Sequence, residues 1–113
     1  MTPSAAELLA TAWEAFGSGD HDAALAAATD SLATVETPQA HHLLGGLAYV
    51  DDRIGLARQH WETAFRLYRN VGELGLAARI AVELSSLQAL WYANASAAQG
   101  WSERAAIAAD ALC

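Results

Sequence analysis

The stretch LGGLAYVDDRIGLARQHWETA, Leu44 to Ala64, decides how this chain folds. Leu44, Gly45 and Ala48 precede an acidic pair, and Ala57, Trp61 and Ala64 follow it, both sets at three- and four-residue helical spacing. Two apolar stripes separated by Asp51-Asp52 read as two helices folded back on each other. Their small residues let the backbones approach closely, and one aromatic ring plugs the remaining gap. The pattern recurs. GDHDAALAAA (19–28) aligns with DRIGLARQHW (52–61), which sets Ala24 on Ala57 and Ala28 on Trp61, 33 residues apart. Trp61 and Trp101 are 40 residues apart at the same place in their units, and Leu44-Gly45 aligns with Leu84-Ser85. Periods of about 34 to 42 residues belong to solenoids of helix pairs.

Working outward, the apolar spacing is helical throughout and no strand-like alternation persists. Pro3 and Ser4 open a first helix that runs to about Phe16 and breaks at Gly17-Ser18-Gly19. Asp20 or Asp22 caps a second, which ends before Thr37-Pro38. Pro38 suits the first turn of a third, stopped at Asp51-Asp52. A fourth spans about Arg53 to Asn70, with Gly72 just past its end. A fifth covers about Leu74 to Tyr92, and a sixth about Ala97 to Leu112. The expected fold is all-α: a right-handed superhelix of three antiparallel pairs (about 3–35, 38–70 and 73–112) in one domain over 1–113.

Composition narrows the function. A chain of 113 residues that is 54% hydrophobic is neither disordered nor long enough for several domains. Charges interrupt every apolar run, so no membrane span is expected, and MTPSAAELLATAWE has no basic stretch of a secretory signal. A cytoplasmic location follows as the expectation. The one cysteine, Cys113, excludes an intrachain disulfide. The net charge of −7 is uneven: residues 1–52 hold eight acidic side chains and no Lys or Arg, while all six arginines fall in 53–113. Without a basic stripe to neutralise phosphates, this segment is not expected to bind nucleic acid directly.

Residue chemistry names no reaction. Ala57, Trp61, Ala64, Phe65, Tyr68 and Val71 share one helix face and read as core. Arg58, Glu62 and Arg66, four apart, read as a solvated edge. His41 and His42 are adjacent and point about 100° apart, and His21 and His60 have no partner three or four residues away, so no metal site is expected. No phosphate loop, HExxH or nucleophile elbow occurs, and no cofactor or enzymatic activity is expected. Gly45 and Gly46 serve close helix packing, and Asn94-Ala95-Ser96 fits a glycosylation sequon without meaning in the cytoplasm.

With these residues in place, the units resemble the tetratricopeptide repeat. The middle unit supplies Leu44, Gly45, Ala48, Asp52, Ala57, Trp61 and Ala64. The first keeps Ala12, Gly19-Asp20 and Ala24, with Thr11 where Leu is usual. The third keeps Leu84, Ser85, Ala97 and Trp101, with Gln88 and Arg104 at normally small positions. Over nearly the whole chain, ARQHWETAFRLYRNVGELGLAARIAVELS, NASAAQGWSERAA and the opening AAELLATAWEAFGSGDHDAALAAA resemble the repeat region of actinobacterial LuxR-type helix-turn-helix transcriptional regulators. The chain has LAYV where that family often has AWW, and Ser102 where it has Leu.

The resemblance implies a regulator whose DNA-binding part lies beyond Cys113. It also implies a groove lined by the first helix of each pair: Leu9, Trp13 and Phe16, then Gln39, His42, Gly46 and Tyr49, then Arg79, Val82, Ser86 and Leu90. An aromatic patch beside one Arg and one His suits an amphipathic peptide. Trp101, standing where Trp61 stands one unit earlier, is expected to be a packing plug, and Gly100 to let the sixth helix close on the fifth. Trp91 and Tyr92 have no counterpart in the repeat and are the candidate ligand contacts. Three readings follow: a non-enzymatic module that binds protein or peptide within a transcriptional regulator; a small-molecule sensor lined by Trp13, Tyr49 and Trp91; and a homodimer formed through the C-terminal helix, where Ala106, Ile107 and Ala109 cannot all face inward.

Overall fold

The computed structural model describes residues 2–111, which form six α-helices and no strand. They are α1 (Ala5–Gly17), α2 (His21–Thr34), α3 (Pro38–Val50), α4 (Ile54–Asn70), α5 (Leu74–Leu90) and α6 (Ala95–Asp110). Capping chemistry sets the starts. The side chains of Ser4, Asp20, Thr37 and Asn94 accept hydrogen bonds from Glu7, Ala23, Ala40 and Ala97 N–H at 3.1, 3.1, 3.2 and 3.0 Å. Of the two aspartates that could cap α2, Asp20 does so.

One device sets three of the ends. Gly19, Asp52 and Gly72 have φ of 85°, 61° and 80°. The next N–H reaches back five residues each time: Asp20 to Ala15 O at 2.9 Å, Arg53 to Ala48 O at 2.8 Å and Glu73 to Tyr68 O at 2.9 Å. The end of α5 departs from this. Ala93 takes φ of 49° and Asn94 N–H reaches back six residues to Gln88 O, a wider turn. That turn ends α5 at Leu90 rather than at Tyr92 and lets α6 begin at Ala95, earlier than its apolar pattern indicates; the far limit expected at Leu112 lies outside the described residues.

Each helix packs most extensively on its pair partner, α1 on α2, α3 on α4 and α5 on α6, with further contacts joining α2 to α3 and α4 to α5. The described residues extend 47 × 31 × 21 Å. Two cores result. Ala12, Ala24 and Ala28 with Leu43, Leu44 and Leu47 fill the first, and Trp61, Phe65, Tyr68, Ile80, Leu84 and Leu87 dominate the second. Helix α3 belongs to both, since its leucines face α1 and α2 while Ala48 and Gly45 face α4.

The contact between α3 and α4 depends on Gly45. A Cβ built there would overlap the Trp61 indole, so the ring lies on bare backbone. Trp61 is 6% exposed, and its Nε1–H donates to His42 O at 3.3 Å. Gly46 differs from its neighbour: a Cβ there meets nothing within 4 Å, so its role is not close packing. Gly100 is not a close approach either, because its Cβ would meet only Arg104 at 3.6 Å; buried Ala98, Ala105 and Ala108 bring α6 onto α5 instead.

Three further expectations need correction. Trp101 does pack on the second core, edge-on to Phe65 at 5.1 Å with the Arg104 guanidinium 4.4 Å over its ring, but it is half-buried rather than a sealed plug. Val71 is 66% exposed because it stands past the end of α4, off its apolar face. Arg58 is not a plain solvated edge: its guanidinium lies 5.1 Å over Tyr92 while Glu62 sits 3.6 Å away.

Two substitutions test the Gly45–Trp61 contact by urea unfolding. Trp61→Ala should cost about 3–5 kcal/mol through lost burial and the cavity left behind. Gly45→Ala should cost about 1–3 kcal/mol by overpacking, and that cost should largely vanish in a Trp61→Ala background. Additive costs would mean that the two residues do not share one contact.

Candidate functional site

A groove of about 360 Å³ runs between α1, α3 and α5. Phe16 comes from α1, Gly46, Tyr49 and Val50 from α3, Trp61 from α4, and Val82, Glu83, Ser86, Leu87 and Leu90 from α5. Of the groove residues expected from the repeat register, Phe16, Gly46, Tyr49, Val82, Ser86 and Leu90 line it together. Helical geometry explains the agreement on α5, where positions 82, 86 and 90 form one stripe and Glu83 and Leu87 are its immediate neighbours.

The others lie elsewhere. Leu9 packs partly buried against the α1–α2–α3 core. Trp13, 44% exposed, stands edge-on to Phe16 at 6.1 Å and to His42 at 6.3 Å, so it extends the aromatic surface without lining the groove. His42 Nδ1 is 3.3 Å from Tyr68 OH. Burial, and then the nearby Arg79 charge, holds the His42 imidazole below its ordinary pKa. Gln39 is exposed near the start of α3, outside the lining.

Tyr49 is the centre of an aromatic chain. It stacks on Trp61 at 5.7 Å and 28°, and its hydroxyl accepts a 3.3 Å hydrogen bond from Trp91 Nε1–H. Trp91 stands edge-on to it at 6.2 Å. The two candidate ligand residues therefore grip the corner between α3 and α4, Trp91 on Tyr49 and Tyr92 under Arg58. Trp13 does not join Tyr49 and Trp91, so the three-sided small-molecule pocket does not form; Phe16 takes the place expected for Trp13. The groove is a trough open along its rim, where Tyr49, Val82 and Leu90 are 36%, 55% and 76% exposed.

Glu83 is the charged member of the lining that sequence reasoning missed. It follows Arg79 by one helical turn, which was the available signal. Burial pushes its carboxyl pKa up, only partly opposed by the Arg79 charge.

A second cluster lies on the other side of α3. His41 Nδ1 is 2.9 Å from His60 Nδ1, and His41 Nε2 is 3.1 Å from Glu36 Oε2. His60 thus has a partner after all, on the facing helix rather than on its own. The two rings lie eleven residues before and eight after Asp52, about where two helices folded at that turn face each other. In the neutral pair one ring donates to the other and His41 Nε2–H donates to Glu36. Burial, and then His41, lowers the His60 pKa. His60 also borders a smaller cleft of about 130 Å³ with His21, Asp22, Asp51 and Arg53. His21 itself stacks on Phe16 at 5.5 Å.

Among the described residues no group of three or more His, Cys, Asp or Glu is arranged to hold a metal ion, and no helix is long and apolar enough to cross a membrane. Cys113 lies outside those residues. No protein-family model, curated protein or solved structure matches the chain.

His42 and His60 set a pH dependence. Their folded pKa values lie below the ordinary 6.5, so the unfolded chain takes up protons first and acidification through 6.5 favours unfolding. Glu83 acts oppositely, its raised pKa disfavouring the folded state as pH climbs from 4.5. The urea midpoint should fall between about pH 7.5 and about pH 5.5. The fall should shrink in His60→Asn and His42→Asn, which keep a polar group near the Nδ1 position without a titrating ring. An equal fall in both variants would remove these histidines as the cause.

Proposed function

We propose that the chain is a non-enzymatic, tetratricopeptide-like module that binds a protein or peptide segment, and that it serves a cytoplasmic LuxR-type transcriptional regulator whose DNA-binding part lies outside these residues. The observation that carries the reading is the groove between α1, α3 and α5, whose lining coincides with repeat positions on all three helices. The motif resemblance supports the regulatory setting.

The shape favours a peptide over a small molecule. Pockets for small ligands enclose most of the ligand surface, whereas this trough presents Val82 and Leu90 at an open rim. An amphipathic segment lays its apolar face into such a trough, anchored by aromatic side chains. Tyr49, pinned between Trp61 and Trp91, is a rigid anchor of that kind.

Gly46 permits a direct test, because a side chain there would enter open groove space and a leucine would also favour the helix. Peptides selected from a random display library against the intact chain should lose about tenfold or more in affinity for Gly46→Leu, some 1.4 kcal/mol. Selected peptides that bind Gly46→Leu undiminished would place recognition elsewhere.

Self-association is a second reading with its own observation. Ile107 is 70% exposed on α6 beside exposed Ala106, an apolar surface at the end of the helix array. Light scattering should show a dimer that Ile107→Ser weakens. A monomer that is unchanged by dilution in the intact chain would end this reading.

A further inference from the structure

We propose that the groove takes a basic amphipathic segment of a partner protein, with one Lys or Arg side chain paired to Glu83 and the apolar side chains laid over Tyr49 and Leu90. The inference rests on the peptide-groove reading and goes further by fixing the charge of the occupant.

Glu83 lies in the groove lining beside Val82 and Leu87, yet among the described residues its carboxylate makes no hydrogen bond and no ion pair within 4 Å. A carboxylate drawn partly out of water without a partner is left destabilised, and a cation arriving with the ligand recovers the lost interaction. The raised pKa has the same cause, burial, which the Arg79 charge offsets only in part. Arg79 does not meet the need. It stands one turn earlier on α5, exposed to solvent, and it neither lines the groove nor reaches the carboxylate.

The surroundings agree in sign. No Lys, Arg or His is among the side chains lining the groove. Of its other walls, α1 carries Glu7 and Glu14, and neither α1 nor α3 carries a Lys or Arg. That field draws in a basic segment and opposes an acidic one. The groove therefore supplies both requirements of a basic amphipathic helix: apolar contact surface at Tyr49 and Leu90, and the Glu83 carboxylate without an ion-pair partner among the described residues.

Fluorescence anisotropy with three labelled helical peptides tests this. All share one leucine face; the opposite face carries lysines, glutamines or glutamates. At about 0.15 M salt, where long-range charge is screened beyond about 8 Å, the lysine peptide should bind the intact chain about tenfold tighter than its glutamine twin, and the glutamate twin should bind weakest. Glu83→Gln should remove the lysine preference, while Asp30→Asn, an exposed acid on α2, should leave it intact. Gly46→Leu should abolish binding of the lysine and glutamine peptides alike. Equal binding of those two peptides, lost in Gly46→Leu, overturns the cation assignment and leaves the groove standing. A lysine preference that survives Glu83→Gln, or tighter binding of the glutamate twin, also overturns the assignment. Binding undiminished in Gly46→Leu, or no binding by any peptide, overturns the groove reading with it.

Discussion

The Trp61 indole lying on the bare backbone of Gly45 is the contact on which the rest of the structure depends. A missing Cβ lets α4 approach α3 at the width of one aromatic ring, and the Nε1–H bond to His42 O fixes the ring's orientation. Because α3 contributes leucines to the first core and Ala48 to the second, this one contact also ties the two cores together. The third pair shows what happens without it. Ser85 stands where Gly45 stands in the second, and Trp101 is displaced to a half-buried position against Phe65. Ser85 Oγ instead donates to Ala98 O at 2.7 Å, with Ser102 Oγ also at 2.7 Å, so a polar clasp replaces the aromatic plug.

The same ring carries the consequences into the groove. Trp61 supports Tyr49 from below, and Trp91 holds the Tyr49 hydroxyl from the side. A side chain that would otherwise sample several rotamers on an exposed helix face is thereby held in one, which lowers the entropy cost of using it as a contact. The α5 side of the groove is different in kind, with Val82 and Leu90 exposed and Glu83 half-withdrawn without a partner. One wall is preorganised and apolar, and the other has a charge still to be met.

The residues that were legible in the sequence are those whose environment depends on their own helix. Asp20, Pro38 and Gly72 mark helix starts and reversals because a capping side chain, a fixed φ or a positive φ is a local demand. The buried stripe Ala57, Trp61, Ala64, Phe65 and Tyr68 follows from period alone. The groove positions Val82, Ser86 and Leu90 on α5 came instead from the repeat resemblance, which also named Arg79, outside the lining. Trp13 was harder, since an aromatic residue at helical spacing satisfies a core and a groove pattern equally, and its own turn does not say which side faces its neighbours. Gly46 and Gly100 misled similarly: glycine is compatible with close packing but does not require it.

By itself, the sequence determined the six helices, their pairing and the inward stripes within each helix, though not Val71 past the end of α4, because hydrogen-bonded turns, caps and the 3.6-residue period act over a few residues. The tertiary structure alone decided which side chains meet across helices. His41 and His60 become partners only when α3 and α4 fold about Asp52, and Trp91 at the end of α5 meets Tyr49 of α3 only across the helix array. Glu83 and Tyr49 come to line one groove only in the folded helix array. Such contacts depend on the angle and register between helices, which close packing of whole faces sets and no local spacing encodes.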